Sequence, residues 1–197
     1  GLPYLFEKAG VDFIVELMQR LLTDTSCQLM PYPARGRKFH LVGTSNGGAA
    51  VLAVAARAPD LVASLTLVTG FCPEELGDLS PIRAVPAIRL YAGDRDELGH
   101  DEALAAVKER LALVGASAEL FILKGARHGN VGHYIDMEEF WRFLLATQRA
   151  AEGQALVRGT GGGRWRRRSS GDGAGQAAAG GPLSCCCFAS AGAAEPA

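Results

Sequence analysis

A serine, a carboxylate and a histidine, each placed just after an apolar run, are the residues of this chain that could carry chemistry together. Ser45 stands in Gly43-Thr44-Ser45-Asn46-Gly47-Gly48, after the apolar run Lys38–Val42 and before the small-residue run Ala49–Ala56. The spacing Gly-x-Ser-x-Gly suits a sharp strand-to-helix turn: the serine takes a strained backbone, and the glycines remove Cβ atoms that would clash. Such a turn lifts Oγ clear of the backbone, and the helix N-terminus beneath it favours the negative charge that develops in acyl transfer. Downstream, Ile88–Tyr91 reads as a strand that ends in a turn with Asp94 and Asp96. Further on, Ala118–Leu123 reads as a strand that ends at His128. A serine hydroxyl is a poor nucleophile at neutral pH and needs a base. A histidine can take its proton and later protonate the leaving group.

The chain order Ser, Asp, His, each past the carboxyl end of a predicted strand, resembles the α/β-hydrolase family over roughly Val11 to Thr147. The resemblance implies roles for these residues. Ser45 would be the nucleophile, His128 the general base, and the backbone amide of Asn46 a donor to the oxyanion. The family's usual spacing from the glycine of the acid turn, here Gly93, selects Asp96 as the residue that orients His128. Asp94 stays open as the competitor, its simpler role being a turn residue that bonds its own backbone. No cofactor is implied, and the partner would be a small ester or acyl substrate. The serine at position 45 separates the chain from relatives of the same fold that place an aspartate there, the haloalkane dehalogenases and epoxide hydrolases.

Each of these residues also has a plainer role. Ser45 fits a tight turn and His128 a surface loop. His133 is a weaker candidate for the base, its plainer role being a solvated or partly packed residue at the start of the last helix, and His100, ahead of Asp101-Glu102, reads as a solvent-facing residue at a helix start. His40 alternates with Phe39 and Leu41, which makes it a packed or hydrogen-bonded strand residue. Trp141 and its aromatic neighbours read as core packing against the sheet.

The elements that must position these residues alternate along the chain. Val11, Ile14, Leu17, Met18, Leu21 and Leu22 recur at helical spacing, so residues 11–23 form an amphipathic helix. Ala63–Thr69 is a buried strand, Asp101–Val114 an amphipathic helix, and Tyr134–Thr147 the last helix, with Ile135, Met137, Phe140, Phe143 and Leu144 as its apolar face. Parallel strands separated by helices predict an α/β, doubly wound, mostly parallel sheet with its site at the strands' carboxyl ends. Residues 71–86 leave no room for a lid domain, which resembles the lidless branch of carboxylesterases, acyl-protein thioesterases and dienelactone-hydrolase-like enzymes. In that family further strands precede the helix at 11–23, together with a loop that supplies another oxyanion amide. The chain opens on Gly1 rather than Met and is expected to be the C-terminal part of such a domain, from a gene product that is a hydrolase. Phe39–Val42 would then present an unpaired apolar edge. The connection Thr23–Arg37, about fifteen residues with Pro31 and Pro33, is longer than usual there.

Composition divides the 197 residues into a domain over 1–150 and a tail over 151–197 rich in Gly, Ala, Ser and Arg, without apolar periodicity and expected to be disordered. A formal net charge of -1 gives no reason to expect a nucleic-acid partner. The basic cluster Arg164–Arg168 reads as part of a solvated tail. No run of about 18 apolar residues predicts a transmembrane span, and no leader pattern opens the chain, which points to the cytoplasm. Cys185-Cys186-Cys187 are adjacent, a poor arrangement for a tetrahedral metal site. Cys27 and Cys72 read as ordinary thiols, so no disulfide framework and no metal motif is expected. Gly161-Gly162-Gly163 lacks the strand and helix context of a phosphate loop. Three functions remain: an esterase or thioesterase acting through an acyl-enzyme, a serine peptidase with the same triad, and a degenerate fragment with a binding role.

Overall fold

Short runs of Val, Leu, Ile and Phe alternate with Ala-rich or amphipathic runs, and the chain accordingly alternates strand and helix. The computed structural model of the chain describes residues 7–23, 38–159 and 186–189. Helix α1 (Lys8–Thr23) is followed by β1 (Phe39–Thr44), α2 (Asn46–Arg57), β2 (Val62–Val68), β3 (Ile88–Gly93), α3 (His100–Leu113), β4 (Glu119–Leu123), α4 (Met137–Gly159) and β5 (Cys186–Ala189). The strands form one sheet in the order β4-β3-β2-β1-β5, and every neighbouring pair is parallel. A parallel sheet is covered on both faces, so its inner strands are apolar throughout rather than alternating. All seven residues of β2 and all six of β3 are buried, whereas β4, at the edge, is partly exposed.

Side chains of a strand alternate between the two faces, and this sorts the core into two layers. Leu41, Leu65, Leu67 and Leu90 pack with Leu52 and Val54 of α2, Leu104, Val107 and Leu111 of α3, and Val11, Val15 and Met18 of α1. Val42, Val68 and Tyr91 point the other way and pack with Phe140 and Leu144 of α4 and with Val131. Full burial of a leucine such as Leu52 or Leu90 stabilises the fold by about 1.5–3 kcal/mol. The doubly wound arrangement is therefore present, with α1, α2 and α3 on one face and α4 on the other.

Several local expectations change. Leu17 is 45% exposed, because α1 turns Val11, Val15 and Met18 to the core instead. The last helix begins at Met137, since His128–Tyr134 winds as a 3-10 turn, and it continues to Gly159. Trp141 is 39% exposed rather than core. The buried stripe of α4 runs Phe140, Leu144, Thr147, and Trp141 lies one helical step off it. The predicted unpaired edge of β1 is covered by β5, from His40 opposite Cys186 to Gly43 opposite Ala189. Both β5 and the end of α4 lie in the stretch expected to carry no structure. The connection at 24–37, the cluster Arg164–Arg168 and Cys27 lie outside the described residues. Among the described residues no helix is long and apolar enough to cross a membrane.

Candidate active site

The site is assembled from three turns at the carboxyl ends of β1, β3 and β4. The first turn runs from β1 into α2. Ser45 has φ 53° and ψ −122°, a left-handed conformation that a non-glycine residue adopts only when its surroundings impose it. Its amide donates to Val68 O at 3.0 Å, which hooks the turn to the end of β2. A Cβ on Gly43 would stand 2.1 Å from Gly47 O, and one on Gly48 would stand 2.8 Å from Gly70 Cα. Gly48 thus joins Gly43 as a required glycine, because α2 packs directly on the backbone after β2. As the first residue of α2, Asn46 has no intrahelical acceptor for its amide, which is left at the helix N-terminus beside Ser45.

The second and third turns are stitched to each other. Arg95 N donates to Ala126 O at 3.0 Å, and Asp94 N to Leu123 O at 3.2 Å. The Asp94 carboxylate accepts from Gly125 N at 2.5 Å. The simpler expectation for Asp94, a bond to its own turn, is thus replaced by a bridge across to the histidine turn, where Gly125 has φ 83°. Asp94 as this bridge was missed in the sequence, because nothing in local spacing announces a partner 31 residues away.

Asp96 faces the other way, with no exposed side-chain surface. Its Oδ2 lies 3.2 Å from His128 Nδ1, and its Oδ1 accepts from Leu98 N at 2.9 Å. His128 Nε2 lies 3.2 Å from Ser45 Oγ. Burial pushes the Asp96 carboxyl up, but the Leu98 amide and the His128 ring outweigh it and hold the group below the usual carboxylate range. An ionised carboxylate can only accept, so His128 carries its proton on Nδ1 and leaves the Nε2 lone pair for the serine hydroxyl. A serine hydrogen-bonded to an imidazole that a carboxylate orients is an arrangement able to generate an alkoxide-like nucleophile. The structure therefore brings Ser45, Asp96, His128 and the Asn46 amide to one place, although Ser45 and His128 lie 83 residues apart.

The remaining histidines divide. His133 is exposed, as expected. His40 is buried with Nδ1 2.8 Å from Ser64 Oγ, and burial pushes its pKa down. His100 departs from expectation: it is not solvent-facing. Its side chain is only 12% exposed, Nδ1 lies 3.4 Å from Asp96 Oδ1, and its ring centroid is 4.6 Å from that of His128. Gly99, at φ 72°, turns the chain so that the first residue of α3 comes back over the acid turn. Its position just after that turn was the available signal. Cys72 is half-buried beside Arg110, and burial pushes its thiol up.

No protein-family model matches the chain, and no curated protein matches its sequence. Solved structures do match it in shape. A thermostable esterase superposes with a TM-score of 0.56 over 71% of this chain and 37% of its own, at 16% identity. An esterase from Rhizomucor miehei gives 0.51 over 77% of this chain and 61% of its own, at 13% identity. Acyl-protein thioesterase 2 of Zea mays gives 0.50 over 71% of this chain and 65% of its own, at 16% identity. The chain has an α/β-hydrolase fold. It spans less than two thirds of the length of each of these structures. Within the α/β-hydrolase sheet the three turns described above all lie at the carboxyl ends of parallel strands, where sites of open α/β folds form.

Proposed function

We propose that the chain is a serine hydrolase that cleaves a carboxylic ester or thioester through an acyl-enzyme on Ser45. The observation that carries this is the continuous relay from Ser45 Oγ to His128 Nε2 at 3.2 Å and from His128 Nδ1 to Asp96 at 3.2 Å, built on a serine with a positive φ. The esterase and thioesterase names of the structural neighbours support it.

In this reading Ser45 Oγ attacks the acyl carbonyl carbon while His128 Nε2 takes its proton. The carbonyl oxygen becomes an oxyanion and receives the Asn46 amide, strengthened by the N-terminus of α2. His128 then gives its proton to the departing alcohol or thiol, and the C–O or C–S bond breaks. Water repeats the cycle on the acyl-serine, with His128 again as base, and releases the carboxylic acid. Asp96 stays ionised throughout and stabilises the imidazolium.

A fluorophosphonate probe tests the reading, because it reacts with an activated serine whatever the substrate. Labelling is expected in this chain and absent in Ser45→Ala. Wild-type protein that is folded by circular dichroism and unlabelled would end the proposal. A panel of aryl esters, acyl thioesters and peptides then separates ester or thioester cleavage from amide cleavage.

A further inference from the structure

His100 has no part in the relay, yet it closes a cluster around the relay's carboxylate. One donor atom from each of Asp96, His100 and His128 lies within 4.8 Å of the others. Asp96 Oδ1 is 3.4 Å from His100 Nδ1, and Asp96 Oδ2 is 3.2 Å from His128 Nδ1. A tetrahedral zinc ion, with ligands at about 2.0–2.1 Å, spaces its donors about 3.3 Å apart. Each ring nitrogen thus lies near one oxygen of the same carboxylate, and with one donor atom from each residue within 4.8 Å of the others a contraction of at most about 1.5 Å gives the spacing a metal needs. Two imidazoles and a carboxylate form a donor set suited to zinc and its neighbours in the transition series. The two rings are 12% and 17% exposed whereas Asp96 has no exposed surface, so an ion would enter over the rings.

We infer that Asp96, His100 and His128 form a reversible zinc-type site that switches the serine off. The switch works through the tautomer of His128. A metal on His128 Nδ1 takes the lone pair of that nitrogen, and the single proton of the neutral ring moves to Nε2. Nε2–H then faces Ser45 Oγ and cannot accept its proton. Asp96, already ionised, gives an oxygen to the metal and no longer orients the ring. The Nδ1–H bond is exchanged for an Nε2–H bond through solvent, no other covalent bond of the protein changes, and removal of the ion restores the relay. The inhibitory effect rests on the proposed hydrolase function, whereas the binding of the ion does not.

Zinc ion alone, titrated calorimetrically into the full chain, tests the site. His100→Gln and His128→Gln are each expected to lose one bound equivalent or to weaken it by more than about tenfold. Any zinc held by the thiols is common to all three proteins and cancels in the comparison. Circular dichroism checks that each variant is folded, and two variants are used so that one misfolded protein leaves the other. Identical stoichiometry and affinity in all three proteins would overturn the site. Fluorophosphonate labelling gives the regulatory readout: zinc should slow it in wild type, a chelator should restore it, and the labelling rate of His100→Gln, whatever its metal-free value, should be the same with and without zinc. Labelling of wild type that zinc does not slow overturns the switch. If zinc binding is lost in the variants while metal-free wild type does not label, the site stands and the hydrolase function falls.

Discussion

Gly93→Ala is the substitution that most directly probes how the site is built. Gly93 ends β3, and a Cβ there would stand 2.2 Å from Ala126 O, the carbonyl of the turn that carries His128. Cβ atoms essentially never approach a neighbour closer than 3.0 Å, so the acid turn and the histidine turn must part by at least 0.8 Å, the difference between these distances. That stretches the bond from Arg95 N to Ala126 O beyond its present 3.0 Å and breaks it. Lost hydrogen bonding of about 1 kcal/mol and overpacking of about 1–3 kcal/mol predict a loss of roughly 2–4 kcal/mol in urea unfolding. The same displacement moves Asp96 and His128 relative to Ser45, and misplacement on the order of 1 Å costs about a hundredfold in rate. The control is Gly77→Ala, whose Cβ would meet nothing within 4 Å. The assay pairs urea midpoints with the rate of fluorophosphonate labelling. Gly93→Ala with the midpoint and labelling rate of Gly77→Ala would refute the claim that these two turns are held at contact distance.

Two other predictions address groups outside the relay. Asp94→Ala removes the acceptor of Gly125 N and should slow labelling about tenfold with roughly 1 kcal/mol of stability lost. Asp94→Asn, which keeps an accepting oxygen, should recover most of both, and failure to do so would deny Asp94 its positioning role. His40 is pushed down by burial, so the unfolded chain binds a proton that the folded chain refuses. Stability should therefore be complete above the ordinary histidine value of about 6.5 and decline as pH falls from there toward the lowered folded value. Urea midpoints measured across that window should show the decline in wild type and a smaller one in His40→Gln.

The parts of the site and their order along the chain are written in local sequence. The glycine spacing about Ser45 encodes a strand-to-helix turn, because only residues without Cβ tolerate backbone at the distances Gly43 and Gly48 show. Unbroken apolar runs encode strands buried on both faces, and helical periodicity encodes α1, α3 and α4. These are local properties, set by residues a few positions apart, and they were legible. Helix ends were less so: the 3-10 turn at His128–Tyr134 displaced the start of α4, and Trp141 fell off its buried stripe. Which side chains meet is set by the packing of the strands. The order β4-β3-β2-β1 sets the acid and histidine turns side by side and within reach of Ser45, and from that placement Asp96 turns inward to His128 while Asp94 turns across to Gly125. The left-handed Gly99 likewise brings His100 back over the acid turn. Such meetings depend on how strands that are distant in sequence lie beside one another, and no spacing within the chain carries that information.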